Sequence, residues 1–210
     1  MTTKDIHTMR TYQTPLASLL SISFITLMMS LLASMSFAAP SSTSIKGQAR
    51  FLSTAPLEKI VGTAAVMGDF KIDFDKPSEV SGTFKVPGAS MKTGNDKRDE
   101  HLRGSQWLNA DKCANIEFAV TGGKVEKFTP TNDKGISTIK LVVEGKMTIN
   151  CVSQPISAKV TVKRKGKMIK VGSKFEIKLA DFKVQGKEGI VGKKVGESIQ
   201  VSINLTGKGV

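Results

Sequence analysis

The sequence predicts an all-β domain of about eight antiparallel strands, interrupted once by a short helical crossover. Three observations point there. From Ile45 onward, apolar residues alternate with polar ones, the period of a half-buried strand. Gly, Pro, Asp and Asn punctuate those runs as turns do. The alternation lapses once, in VPGASMKTGNDKRDEHLRGSQWLNADKCANIEF between Val86 and Phe118. That stretch holds the densest charge in the chain and its only tryptophan, Trp107.

Residues 1–38 read as an export signal. Lys4 and Arg10 make a positive start, and Thr11 to Ile45 carries no charge. Leu16 to Phe37 is almost continuously apolar, and Ser36-Phe37-Ala38 supplies the small residues that cleavage needs. The competing reading is an uncleaved anchor, since about 20 apolar residues can span a bilayer. No cysteine follows the apolar run, so a lipoprotein anchor is not indicated. Residues 39–44 form a short lead-in, and 45–210 the folded domain. The expected location is the periplasm or the exterior.

The strands follow in order. The first lies near Lys46–Leu52. Phe70, Ile72 and Phe74 share one face of the second, and Asp75-Lys76-Pro77-Ser78 turns the chain into the third, with Val80, Phe84 and Val86 on one face. After the crossover come Ile116, Phe118 and Val120, a turn at Thr129–Gly135, then Ile139, Leu141, Val143, Met147 and Ile149. Ile156, Ala158, Val160 and Val162 mark the sixth strand. Ile169, Val171, Phe175, Ile177 and Leu179 mark the seventh, and Ile199, Val201, Ile203 and Leu205 the last. Eight such strands form either a sandwich or a closed barrel. Lysines at outward mid-strand positions (Lys159, Lys163, Lys174, Lys178) argue against a barrel that spans a membrane.

Within the crossover, Pro87 and Gly88 end the preceding strand. Thr93 or Asn95 can cap a helix whose first turn carries Asp96, where the helix dipole favours an acid, and Gly104 is its stop. The run TGNDKRDEHLRGSQWLNADK at 93–112, followed by I-x-F at 116–118, resembles the signature of the YceI family. Members of that family are periplasmic, lipocalin-like barrels that bind polyisoprenoid or other long-chain lipids. The resemblance therefore implies a closed eight-stranded antiparallel barrel with a lipid in its interior. Family members usually carry Tyr-Pro at Cys113-Ala114 and Gly at Cys151.

If the barrel is hollow, the inward positions become its ligand-binding lining: Phe70, Ile72, Phe74, Phe84, Val86, Trp107, Ile116, Phe118, Leu141, Val143, Met147, Ile149, Val160, Phe175, Ile177 and Val201. If it is filled, the same residues are plain core. Few large rings are available to plug the interior, which favours space. Arg98 and His101 are candidates for the mouth, near a ligand's polar head, while Arg98, Asp99 and Arg103 are candidates for fixing the crossover in place.

Chemistry has little material here. Beyond the leader there is one histidine, His101, and two cysteines, too few for a tetrahedral zinc site. No Gly-rich phosphate loop is present. The chain reads as a non-enzymatic binding protein with no metal and no cofactor other than a bound lipid. The alternative is a soluble basic barrel, its interior filled, that acts on an acidic partner or an anionic membrane surface.

Charge bears on the partners. Without Lys4, Arg10 and Asp5 the chain holds 29 basic and 17 acidic residues, a net charge of +12, and +9 of it lies between Pro155 and Lys194. Such a balance suits anionic membranes or anionic small ligands. No nucleic-acid-binding motif accompanies it. The expected assembly is a monomer or a homodimer.

Cys113 and Cys151 are expected to form a disulfide, the default for an isolated pair in an oxidising compartment. A hairpin turn centred near Asn132 would set them opposite each other. Uninterrupted alternation would instead put Cys113 outside and Cys151 inside. A bulge or strand start near Ala114-Asn115, or a break near Asn150, is needed to bring them to one side.

Overall fold

The computed structural model describes residues 42–55, 57–74, 76–77, 79–184 and 195–209. The expected leader, the start of the lead-in, Asp75 and Ser78 of the first hairpin turn, and Lys187, Lys193 and Lys194 of the basic segment lie outside the described residues. Eight antiparallel strands close into a barrel in sequence order. They are β1 (Thr43–Thr54), β2 (Lys59–Ile72), β3 (Val80–Pro87), β4 (Asn115–Thr129), β5 (Ile136–Ile149), β6 (Val152–Lys165), β7 (Met168–Lys178) and β8 (Ser198–Lys208), and β8 returns to pair with β1. The crossover between β3 and β4 carries one helix, α1 (Asp96–Arg103).

Two elements differ from the sequence expectation. The second strand starts at Lys59, well before Phe70, and ends at Ile72, so Phe74 lies beyond it. Its first half, KIVGTAAVMG, is rich in small residues, which weakens the apolar alternation there. Leu179 is not in the seventh strand but opens a 3₁₀ turn, Leu179–Phe182.

Two ladders stop short of the crossover end of the barrel. β2 pairs with β3 only from Met67 to Ile72, and β6 pairs with β7 only from Lys159 to Lys165. Both gaps fall at the end that carries the crossover. In that half, the strands separate into two four-stranded leaves, β7-β8-β1-β2 and β3-β4-β5-β6. The crossover covers the first gap: Thr63 and Lys92 exchange two backbone hydrogen bonds of 2.8 and 2.9 Å, and Ala65 N–H donates to Ser90 Oγ. The 3₁₀ turn covers the second gap: Gln154 Nε2 donates to the Asp181 carbonyl, and Asn150 Nδ2 to the carbonyls of Phe182 and Lys183.

The opposite half is packed solid. Ile45, Ile139, Leu141 and Val162 are almost completely buried there. Arg164 closes that end, its guanidinium carbon 4.0 Å from the centre of the Phe74 ring. β4 carries register shifts at Val120/Gly122 and Val125/Lys127, the irregularities that increase local twist as a barrel closes.

Cys113 and Cys151 are bridged, with Cα atoms 5.5 Å apart. Neither lies in a strand. Cys113 precedes β4, and Cys151 sits in the two-residue turn between β5 and β6, so strand alternation places no constraint on them. Asn150 and Cys151 both adopt left-handed backbone, with φ of 50° and 58°, as a tight type I′ hairpin requires. The family's usual glycine at position 151 fits that backbone without strain. The bridge ties the end of the crossover to the β5–β6 turn.

Replacing both cysteines with alanine is expected to lower stability by about 3–4 kcal/mol in denaturant titration. Pairing Cys113→Ala with Cys151→Gly should recover about 1 kcal/mol of that loss, because glycine removes the left-handed strain. Equal stabilities for the two double variants would show that the turn does not carry it.

Candidate functional site

The half of the barrel under the crossover is hollow. A cavity of about 570 Å³ lies between the two leaves, within the size range of small-ligand pockets. Small inward residues create it: Ala49, Ala64, Ala158 and Ser173 face the space from β1, β2, β6 and β7. One wall is aromatic. Phe84 and Phe118 are direct register partners across β3 and β4, their rings stacked at 6.5 Å, and Phe70 tilts against Phe84 at 6.1 Å. Gly145 makes room for the Phe118 ring, because a Cβ there would lie 2.6 Å from its Cε2.

Apart from Ser173, whose hydroxyl donates to the Lys159 carbonyl, the deeper lining is apolar, and the charged side chains lie toward the crossover. Glu58, Thr93, Asn95, Lys97, Arg98 and His101 line the cavity at that end. Asn95 is the N-cap of α1, its side chain accepting from Arg98 N–H, and Gly104 ends the helix. Thr93 is the centre of a network. Its backbone N–H and hydroxyl both donate to Asp99 Oδ1, at 2.7 and 2.6 Å. Arg98 donates from Nε to the Thr93 hydroxyl, from Nη2 to the Thr93 carbonyl, and from Nη1 to Glu58 on the β1–β2 connection. Asp99 is 2% exposed, the most buried charged residue among those described. Burial works to raise its pKa. The hydrogen bonds from the Thr93 hydroxyl and backbone, with the positive charges of Lys92 and Arg103, outweigh burial and hold the carboxyl below its ordinary value.

Most of the inward residues read from the sequence lie on the cavity wall: Phe70, Phe84, Val86, Trp107, Ile116, Phe118, Val143, Met147, Ile149, Val160, Phe175, Ile177 and Val201. Ile72, Phe74 and Leu141 do not. They pack in the solid half, where opposing side chains meet. Arg98 both lines the cavity and anchors the crossover, whereas the His101 side chain lines it with no hydrogen bond or ion pair among the described residues. Arg103 acts on Asp99 through charge. Sequence reasoning missed the lining from the first half of β2 (Ile60, Ala64, Val66) and from the crossover (Met91, Leu102, Leu108). The small residues of β2 were the available signal. Trp107, 8% exposed, keeps its indole Nε1 buried with no hydrogen-bond partner among the described residues.

The Asp99 network gives a pH dependence of definite sign. A carboxyl whose pKa is lowered by folding contributes stability above the ordinary value of about 3.9 and loses it as pH falls through the lower folded value. Asp99→Ala leaves the Thr93 donors without their acceptor and is expected to cost about 1–3 kcal/mol at neutral pH. It should also flatten the acid limb of stability, measured by denaturant titration across pH. An acid limb identical to that of the parent chain would rule out this role for Asp99.

Comparisons with known proteins agree with this geometry. Among curated relatives, a UPF0312 protein of Shewanella sp. (strain W3-18-1) is 34% identical over 92 residues, covering 44% of this chain and 43% of that protein. A UPF0312 protein of Pseudomonas fluorescens is 30% identical over 100 residues, covering 48% of each. The chain thus matches less than half the length of these relatives. Two solved structures share the fold. BcnA of Burkholderia cenocepacia superposes with a TM-score of 0.60 at 20% identity, covering 79% of this chain and 95% of BcnA. A polyisoprenoid binding domain from Saccharophagus degradans superposes with a TM-score of 0.60 at 14% identity, covering 82% of this chain and all of that domain. The model of the YceI-like domain matches residues 38–207, nearly the whole barrel and its crossover, and the chain belongs to the YceI-like family.

Proposed function

We propose that this protein is an exported, non-enzymatic carrier that holds one long-chain lipid, an isoprenoid by preference, in the hollow half of its barrel. The observation that carries this reading is a largely apolar cavity of about 570 Å³, blind at the packed half and charged only toward the crossover. A long hydrocarbon chain suits such a space, because each buried CH₂ contributes about 0.8 kcal/mol without a polar partner. The polar end of the lipid would lie near Lys97 and His101, since Arg98 is already engaged by Glu58 and Thr93. The fold shared with the polyisoprenoid binding domain from Saccharophagus degradans supports the choice of ligand class. Among the described residues no cluster of three metal-binding side chains occurs, and no helix is long and apolar enough to cross a membrane.

Native mass spectrometry of the exported protein should show one co-purifying lipid. Filling the space from a small wall residue, with Ala64→Phe or Ala158→Phe, is expected to exclude about four methylenes. That corresponds to about 3 kcal/mol, or roughly a two-hundredfold rise in Kd for a displaceable fluorescent lipid. Circular dichroism checks that the barrel persists. Unchanged affinity in both variants would overturn the cavity reading.

Export is part of the same proposal, with residues 1–38 as a cleaved leader and the mature chain starting at or close to Ala39. N-terminal sequencing of the exported form is expected to read from there. A full-length chain retained in the membrane fraction would contradict it.

A further inference from the structure

One outer wall of the barrel carries lysines where a sheet disfavours them. Lys163 faces Lys170, and Lys159 faces Lys174, as direct register partners across β6 and β7. Lys127 faces Lys140 in the same way across β4 and β5. Like charges directly opposite each other destabilise an antiparallel pair. All six residues are exposed. Among the described residues, the only carboxylate in an ion pair with any of them is that of Glu126, 3.7 Å from Lys159. Lys165 and Lys167 extend the charge around the β6–β7 turn. Beside them, Met168 is 47% exposed, and Phe128 is 44% exposed at the rim of the same end.

We propose that this wall docks the barrel on an anionic lipid bilayer. Phosphate headgroups seated between opposed ammonium groups would relieve the repulsion that the sheet register imposes. The exposed thioether of Met168, set among cations, fits the boundary between headgroups and acyl chains. The apolar pair at the rim, set beside the charged wall, matches the layering of acyl chains beneath headgroups, which a uniformly acidic protein surface does not have. The register adds what the sequence could not show. The basic run from Pro155 joins Lys127 and Lys140 of two earlier strands into one surface. This surface is distinct from the cavity mouth, and its role does not require that the cavity hold a lipid.

Vesicle flotation of the leader-free chain tests the proposal, with phosphatidylcholine alone or mixed with phosphatidylglycerol. Binding is expected only to the anionic vesicles and should fall steeply as salt is raised. Each lysine near such a surface contributes about fivefold, so Lys163→Ala with Lys170→Ala should weaken partition roughly thirtyfold. The melting temperature of that variant should hold or rise, since one opposed pair is gone. Lys59→Ala with Lys71→Ala, an equal charge change on β2 across the barrel, should leave partition near that of the parent chain. Met168→Ser should lower partition into vesicles but not retention on soluble polyglutamate. Unchanged partition in the β6–β7 variant, or an equal loss in the β2 control, would overturn the docking surface. Lysine-dependent binding tighter to polyglutamate than to vesicles would assign the wall to an acidic protein instead.

Discussion

The constraint on which the site depends is that two of the eight ladders, β2–β3 and β6–β7, stop short of the crossover end. A barrel hydrogen-bonded along its full length at this strand number has an interior just wide enough to fill with side chains. In the half where β2 pairs with β3 and β6 with β7, that is what occurs: Ile139, Leu141 and Val162 are fully buried. Where β2 leaves β3 and β6 leaves β7, the walls become two leaves, and small inward residues leave the space between them unfilled. Pro155 lies on the part of β6 that has no β7 partner, where a missing N–H breaks no ladder bond.

An open seam exposes backbone polar groups, and those groups need partners. Each seam here receives a dedicated segment. The crossover supplies the β2 seam and the 3₁₀ turn supplies the β6–β7 seam. The crossover must hold its position without a long ladder of its own. Thr93 does this by joining a buried carboxylate to a guanidinium that reaches across to Glu58. The disulfide then fixes the other end of the crossover to the β5–β6 turn. Charge and covalent linkage thus add at the hollow end to the apolar packing of Met91, Trp107 and Leu108.

The same split separates the candidate site from the surface chemistry. Polar side chains around the cavity cluster at the crossover, so a ligand's polar end has one direction in which to lie. Two of the three opposed lysine pairs, Lys127–Lys140 and Lys163–Lys170, lie on the outer face of the packed half, and the third, Lys159–Lys174, ends the β6–β7 ladder beside the cavity wall. Apolar packing beneath the first two pairs, with Ile139, Leu141 and Val162 fully buried, offsets their mutual repulsion.

Strand number, inward residues and the place of the crossover were legible in the sequence, because side-chain alternation and turn residues are local properties. The motif around Arg98, Asp99 and Arg103 marked the family for the same reason: its residues are contiguous. Lining contributed by Ile60, Ala64 and Met91 was hard to read, since small residues in a strand and one apolar residue in a charged loop carry weak periodic signal. Assigning Ile72, Phe74 and Leu141 to the cavity failed because inward direction does not say what stands opposite. The sequence by itself determined which face of each strand is apolar. Only the tertiary structure decided where the ladders end, and hence which half of that apolar interior is solid and which is hollow, because ladder length depends on how eight strands close on one another.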